Sequence, residues 1–140
     1  DAAESDEPFA YRRSIYVRQQ RGAPYATLAT FDAPDRFACT AKRVRSNTPL
    51  QALTLLNEPA FIEAAKALAE RVLRETPTAS TRDRAARMFR TCLARLPQPH
   101  ELAELEQLHA KKLASGGSEA DAWFLVANVL LNLDETITKE

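Results

Sequence analysis

The sequence has few of the residues from which common catalytic and cofactor sites are built. It contains three glycines, two cysteines and two histidines in 140 residues. It has no glycine-rich phosphate loop and no G-x-S-x-G nucleophile elbow. Cys39 and Cys92 cannot supply the four ligands of a structural zinc site, and no C-x-x-C-H sequence attaches a haem. We therefore expect no cofactor or metal in this chain, and a disulfide between the two cysteines stays open.

The titratable residues form no recognisable catalytic group either. His100 and His109 are nine residues apart, which is not a spacing that pairs two ligands on one helix. We expect both histidines to be solvated helix residues. Carboxylate pairs such as Glu101 with Glu104 are expected on helix surfaces. Because nothing assembles a nucleophile, a base and an orienting group, we predict no catalytic residues.

Net charge and long apolar runs are also missing. The chain has 19 basic and 19 acidic residues, and no apolar run approaches the roughly 18 residues that span a bilayer. No signal peptide opens the chain. The charge is uneven, because residues 11–47 carry eight bases against two acids. Nucleic-acid binding through residues 12–45, with tyrosines stacking on bases, is a weak hypothesis that the zero net charge opposes.

The first third of the chain shows little periodicity. Residues 1–10 are acidic and are expected to form a flexible lead-in. Residues 11–48 are predicted to be an irregular basic segment. Within it, the β-branched and aromatic residues at 15–17 favour a short strand over residues 11–19, for which residues 25–30 are the candidate partner. The stretch Phe31–Asp35 is typical of a turn.

From Asn47 onward the sequence predicts helices. Asn47 or Thr48 can cap a short helix, and Pro49 suits its first position because the missing N–H would be unpaired there. Four longer amphipathic segments follow, and they begin near Pro59, Ser80, Pro99 and Ser118. We predict an all-α fold for a single domain over residues 11–140: an antiparallel bundle of four main helices plus the short helix, spanning residues 49–135.

The spacing of apolar residues also predicts which side chains face the core. In the short helix these are Leu50, Leu53 and Leu56. In the four main helices they are Phe61, Ile62, Ala65, Leu68, Ala69, Val72, Leu73, Ala85, Met88, Phe89, Cys92, Leu93, Leu96, Leu102, Leu105, Leu108, Leu113, Ala122, Leu125, Val126, Val129, Leu130 and Leu133. Trp123 is expected beside the last of these stripes.

One group of polar residues is a candidate ligand site. Asn47, Thr48, Gln51 and Asn57 lie on or beside a short helix that is otherwise mostly leucine. Helix capping explains most of them, and the remainder can form a polar row that faces a ligand, flanked by basic residues. The candidate ligand-binding residues are Arg13, Asp32, Arg43, Asn47 and Gln51.

Several motifs together resemble a known family. They are Tyr11–Tyr16, Phe31–Pro34, Thr48–Asn57, Ala64, Leu68–Ala69, Arg71, Leu93–Pro97, Glu101, Trp123 and Leu130–Glu135. As a set they resemble the C-terminal part of a bacterial domain of unknown function. That domain ends large planctomycete-type proteins that also carry cytochrome-c-like domains. The chain departs from the family at Thr136, where an aromatic residue is usual.

The resemblance implies an extracytoplasmic multidomain protein, with haem in a separate domain, and it carries over no catalytic residue. Our leading hypothesis is a non-catalytic helical module that packs against neighbouring domains of the same polypeptide or against another protein. The alternative is that the chain is part of an enzyme acting on polysaccharides or their derivatives, with the five candidate residues lining one wall of its site.

Overall fold

The computed structural model describes residues 14–16, 25–34, 39–42 and 46–137. All regular secondary structure in these residues is helical, so the predicted all-α class is confirmed. The chain divides into two units, residues 1–54 and residues 55–140, and each is described by itself below. No helix in the described ranges has the length and apolar character needed to cross a membrane.

The first unit holds short helices. Ser14–Tyr16 forms a turn of 3-10 helix, Ala26–Thr30 forms α1, and α2 (Pro49–Asn57) begins in this unit. The predicted strand is therefore wrong at residues 14–16, and so is its proposed partner, because residues 26–30 are helical. Helical turns satisfy the backbone within the segment itself, whereas a strand requires a partner. The other residues of the predicted strand lie outside the described ranges.

The chain leaves α1 through a left-handed residue. The Ala33 N–H donates to the Leu28 carbonyl at 2.9 Å and the Asp32 N–H donates to the Ala29 carbonyl at 3.3 Å. Asp32 has a φ of 57°. This is the Schellman arrangement, in which the left-handed position is usually glycine. Asp32 is thus the residue that ends the helix, at the place where the sequence predicted a turn.

The second unit is a bundle of four main helices. They are α3 (Pro59–Glu75), α4 (Thr81–Leu93), α5 (Pro99–Ala114) and α6 (Glu119–Leu131), and α7 (Asp134–Ile137) follows them. Successive main helices contact each other, and contact between α3 and α6 closes the ring. The buried core of this bundle consists of Ala65, Ala69, Val72, Ala85, Met88, Phe89, Leu102, Leu105, Trp123, Val126, Ala127 and Leu130.

The helix starts agree with the sequence signals. The Ser80 hydroxyl accepts the Asp83 N–H, and the Ser118 hydroxyl accepts the Asp121 N–H, each at 3.1 Å. Pro59 and Pro99 occupy first helical positions. These caps confirm the predicted boundaries, because a cap depends only on residues within one turn of each other.

Several predicted core positions are wrong. Leu96 is 71% exposed, because α4 ends at Leu93 and Ala94 takes a left-handed φ of 58°. Leu113 and Val129 are each 37% exposed, whereas Trp123 is fully buried. Helix α6 packs against three other main helices, and its sequence is apolar on nearly every side. Periodicity could not choose its buried face for that reason.

The face predicted for α2 is also wrong. Leu50, Leu53 and Leu56 are 59%, 57% and 45% exposed, while Gln51 and Leu55 are buried. Gln51 and Leu55 lie four residues apart, so they share the buried face of the helix. The helix therefore turns a polar side chain inward and a row of leucines outward.

Candidate functional site

Gln51 is the polar centre of the first unit. The Thr48 hydroxyl accepts the Gln51 backbone N–H at 3.3 Å, and the Gln51 Oε1 atom accepts the Thr48 N–H at 3.1 Å. This reciprocal pair is a capping box, which satisfies two donors at the start of a helix. Thr48, rather than Asn47, is thus the residue that caps α2.

The amide nitrogen of Gln51 binds a second segment of the chain. Gln51 Nε2 donates to the Thr30 carbonyl and to the Ser46 hydroxyl, each at 2.9 Å. It also lies 3.5 Å from Asp32 Oδ2, which is a weak hydrogen bond at most. With only 4% of the residue exposed, both ends of the amide have partners. Gln51 therefore fixes the start of α2 against the end of α1.

The Asp32 carboxylate completes this network. Its Oδ2 atom accepts the Ser46 N–H at 2.8 Å and the Ser46 O–H at 2.6 Å. A carboxylate that accepts such donors is held in one orientation. It also lies beside the first turn of α2, where the helix dipole favours negative charge. The Asp32 carboxylate thus binds Ser46, which lies 14 positions later in the sequence.

Two of the five candidate ligand residues are therefore brought together. Asp32 and Gln51 share one hydrogen-bond network, and exposed Asn47 lies in the same loop, between Ser46 and Thr48. Arg13 and Arg43 lie outside the described residues. A ligand-binding role for this set stays a prediction, as does the hypothesis of an enzyme acting on polysaccharides. The contacts seen in the network are those of a structural junction.

A second polar cluster lies at the edge of the helical bundle, around the partly exposed side chain of Glu119. Its Oε1 atom accepts the Trp123 indole N–H at 2.7 Å, and the Arg84 guanidinium lies 3.4 Å away. Arg84 also donates to the carbonyls of Thr76 and Pro77, at 3.0 Å and 2.9 Å. One carboxylate at the start of α6 thereby connects α6 to α4 and to the segment that precedes α4.

His109 belongs to this cluster and is buried, so the expectation of a solvated residue is wrong. Its ring centroid lies 4.5 Å from that of Trp123. Its Nε2 atom lies 3.4 Å from Glu119, a distance suited to an ion pair but without the geometry of a hydrogen bond. The signal was present in the sequence, because His109 follows Leu102 by seven residues and Leu105 by four. His100 is exposed, as expected.

A third cluster surrounds Arg95, in the connection between α4 and α5. The guanidinium donates to both oxygens of Glu101, at 2.9 Å and 2.7 Å, and to both oxygens of Glu135, at 2.7 Å each. It also lies over the Phe89 ring, 4.7 Å from the centroid. The hydrogen bonds from Arg95 lower the pKa of Glu101 to about 2 and lower that of Glu135 as well. This is a structural clamp between α5 and α7.

A groove of about 530 Å³ runs along α5 in the same unit. Its floor and one wall are apolar, formed by Phe89, Leu105, Leu108, Val129, Leu130 and Leu133. The other wall is a polar row on α5, formed by His100, Glu101, Glu104, Gln107 and Lys111. A concave apolar surface with a few polar groups at its edge is typical of a binding site.

The described residues contain no cluster of three or more side chains suited to a metal ion. Both cysteines are unpaired, so the disulfide that the sequence left open is not formed. Partial burial raises the pKa of the Cys92 thiol, which makes it less reactive.

Comparison with known proteins places the chain in a family. Searches among curated proteins and among solved structures gave no significant match. A family model described as "PSD1: Protein of unknown function (DUF1553)" matches residues 1–109. The match includes the motifs from Tyr11 to Glu101 and stops before Trp123 and the motif Leu130–Glu135. It covers more than half of the chain, and the chain therefore belongs to this family of unknown function.

Proposed function

We propose that this chain is a non-catalytic helical interaction module that docks onto neighbouring domains of a larger extracytoplasmic protein. The surface that we assign to this contact is the leucine row of α2, formed by Leu50, Leu53 and Leu56. A haem-carrying domain elsewhere in the same polypeptide is part of the proposal, because the sequence motifs resemble proteins that have one.

The composition of α2 is the observation that carries this proposal. The helix has no charged residue, and its leucine row is about half exposed. The leucine surface of an uncharged helix is normally covered, because removing leucine from water is favourable. Three leucines on one short helix also form a contiguous patch, which is typical of a surface that binds another protein.

The polar networks support a module without catalytic chemistry of its own. Gln51 and Asp32 bond to the chain itself, and Arg95 is occupied by two carboxylates. Catalytic groups need atoms that can reach a substrate, and they combine a base with a nucleophile. The described part of these networks offers neither arrangement.

Hydrogen exchange of residues 49–57 tests the proposal. We expect the amides of α2 to exchange at least tenfold more slowly in the full-length natural protein than in the isolated chain, because a docked surface opens less often. Equal exchange in the two proteins would show that nothing covers the leucine row.

Substitutions make the test specific. Leu50→Gln together with Leu56→Gln should return the exchange of α2 in the full-length protein to that of the isolated chain. Glutamine keeps a high helix propensity, so the helix itself is little affected. Leu96→Gln is the matched control, because Leu96 is 71% exposed and lies elsewhere. It should leave the exchange of α2 unchanged.

A further inference from the structure

The groove along α5 has a polar wall with an ordered charge pattern. Glu104 and Lys111 are seven residues apart, two helical turns, and lie about 10 Å apart along the axis. Both line the groove and are exposed, and neither forms an ion pair with another described residue. One end of the wall is therefore acidic and the other is basic.

This pattern is complementary to itself when reversed. The midpoint between Glu104 and Lys111 lies between Gln107 and Leu108. If a second α5 runs antiparallel about that point, each Glu104 faces a Lys111 of the other copy. Two equivalent ion pairs form at once, which is the property of an interface with two-fold symmetry. Gln107, near the axis, can both donate to and accept from its own counterpart.

The surface around the charges suits close contact between helices. Val129, which forms part of the apolar wall, is 37% exposed although it is large and apolar. The α5 helix of a second copy would cover this wall, and the charges would fix its direction.

We propose that the α5–α6 groove is the contact surface of a two-fold symmetric dimer, in which α5 lies antiparallel to α5 of a second copy. The proposal does not depend on the function assigned to α2, because the groove is formed entirely by residues of the second unit. A contact centred on one helix is smaller than a standard interface, so we expect weak association, with Kd on the order of 100 μM.

Sedimentation equilibrium of the purified chain, from about 10 μM to 1 mM, tests this proposal. The wild-type chain should pass from monomer to dimer over that range. Glu104→Lys or Lys111→Glu alone should weaken the dimer at least tenfold, because two attractive pairs become two repulsive pairs. A wild-type chain that is monomeric at every concentration overturns the proposal.

Charge exchange separates this contact from any other. The double variant Glu104→Lys/Lys111→Glu should dimerise like the wild type. An equimolar mixture of the two single variants should form a heterodimer, because all its facing charges are then opposite. Circular dichroism checks that each variant is folded. Glu70→Lys reverses an exposed charge on α3 and is the control, which should dimerise like the wild type. If the single variants dimerise normally, or if the mixture stays monomeric, the proposed contact is wrong.

Discussion

The two units of this chain bury different kinds of side chain. In the part of residues 1–54 that the structure describes, the one buried residue is Gln51, and it is held by hydrogen bonds. In residues 55–140 the buried residues are almost all apolar, with Trp123, Phe89 and Met88 the largest. A glutamine is thus the centre of one unit, and an aromatic and aliphatic core is the centre of the other.

The difference has an energetic meaning. A hydrogen bond contributes only about 0.5–1.5 kcal/mol net, but it is directional. A fully buried apolar side chain contributes about 1.5–3 kcal/mol and sets little orientation by itself. The first unit is therefore organised for a defined geometry around the start of α2, and the second unit supplies most of the stability. Three substitutions test this difference between the two units.

Phe89→Ala should have the largest effect. Phe89 is 2% exposed and supports the Arg95 side chain, so truncation leaves a cavity and removes a stacking surface. We expect the free energy of unfolding to fall by about 3–5 kcal/mol. Urea denaturation followed by the fluorescence of Trp123, the single tryptophan, measures it. Leu96→Ala should lower the free energy of unfolding by less than about 0.5 kcal/mol. A loss for Leu96→Ala as large as that for Phe89→Ala would contradict this prediction.

Gln51→Leu should have an intermediate and local effect. Leucine has a similar size but cannot bond to the Thr48 N–H or the Thr30 carbonyl, which then lose a partner. We expect α2 to lose about 1–3 kcal/mol of local stability, measured by amide hydrogen exchange over residues 50–57. Thr54→Val removes one exposed bond to the Leu50 carbonyl on the same helix and is the control. Unchanged exchange in Gln51→Leu would mean that the network does not hold the helix.

Arg95→Lys should have the smallest effect, and it should depend on pH. The pKa of Glu101 is lowered from about 4.5 to about 2, chiefly by hydrogen bonds from Arg95. A lowered pKa in the folded state contributes stability that is present above pH 4.5 and is lost as pH falls towards 2. Lysine cannot make the bidentate contacts. The melting temperature of the variant should therefore fall less than that of the wild type between pH 6 and pH 3.

Two features keep this last experiment interpretable. Arg95 is more than one-third exposed, so solvent screens its ion pairs and the effect is modest. Glu75, whose pKa is also about 2 because of Arg71 and Arg87, remains as in the wild type and adds the same pH dependence to both proteins. Arg90→Lys is the control. If the pH profile of Arg95→Lys is the same as that of the wild type, the contacts of Arg95 contribute no pH-dependent stability.

The sequence predicted the helices of the second unit well and the first unit poorly. Ser80, Ser118 and the helix-starting prolines act within one turn, so a local pattern was sufficient to find them. At residues 14–16 and 26–30 the same reasoning predicted strands, because Ile15 and Tyr16 have high strand propensity. Propensity alone could not show that the backbone there would bond to itself in helical turns.

The candidate site shows the same division. Asp32 and Gln51 are two of the five candidate ligand residues predicted from the sequence, and the structure brings these two together. What the sequence did not predict is that Ser46 and the Thr30 carbonyl would be their partners, since these bonds join residues 14 and 21 positions apart. The burial of His109 could be predicted from its heptad spacing, but the Glu119 carboxylate beside it could not.

Local sequence patterns are sufficient to predict where the main helices begin, the all-α class and the family, because caps, proline positions and motifs depend on neighbouring residues. Three other features depend on tertiary structure. These are which face of α6 is buried, the exposure of the leucines of α2, and the hydrogen bonds between Arg95 and Glu135, which are 40 positions apart. Each of these features depends on contacts between residues that are far apart in sequence, which no local pattern specifies.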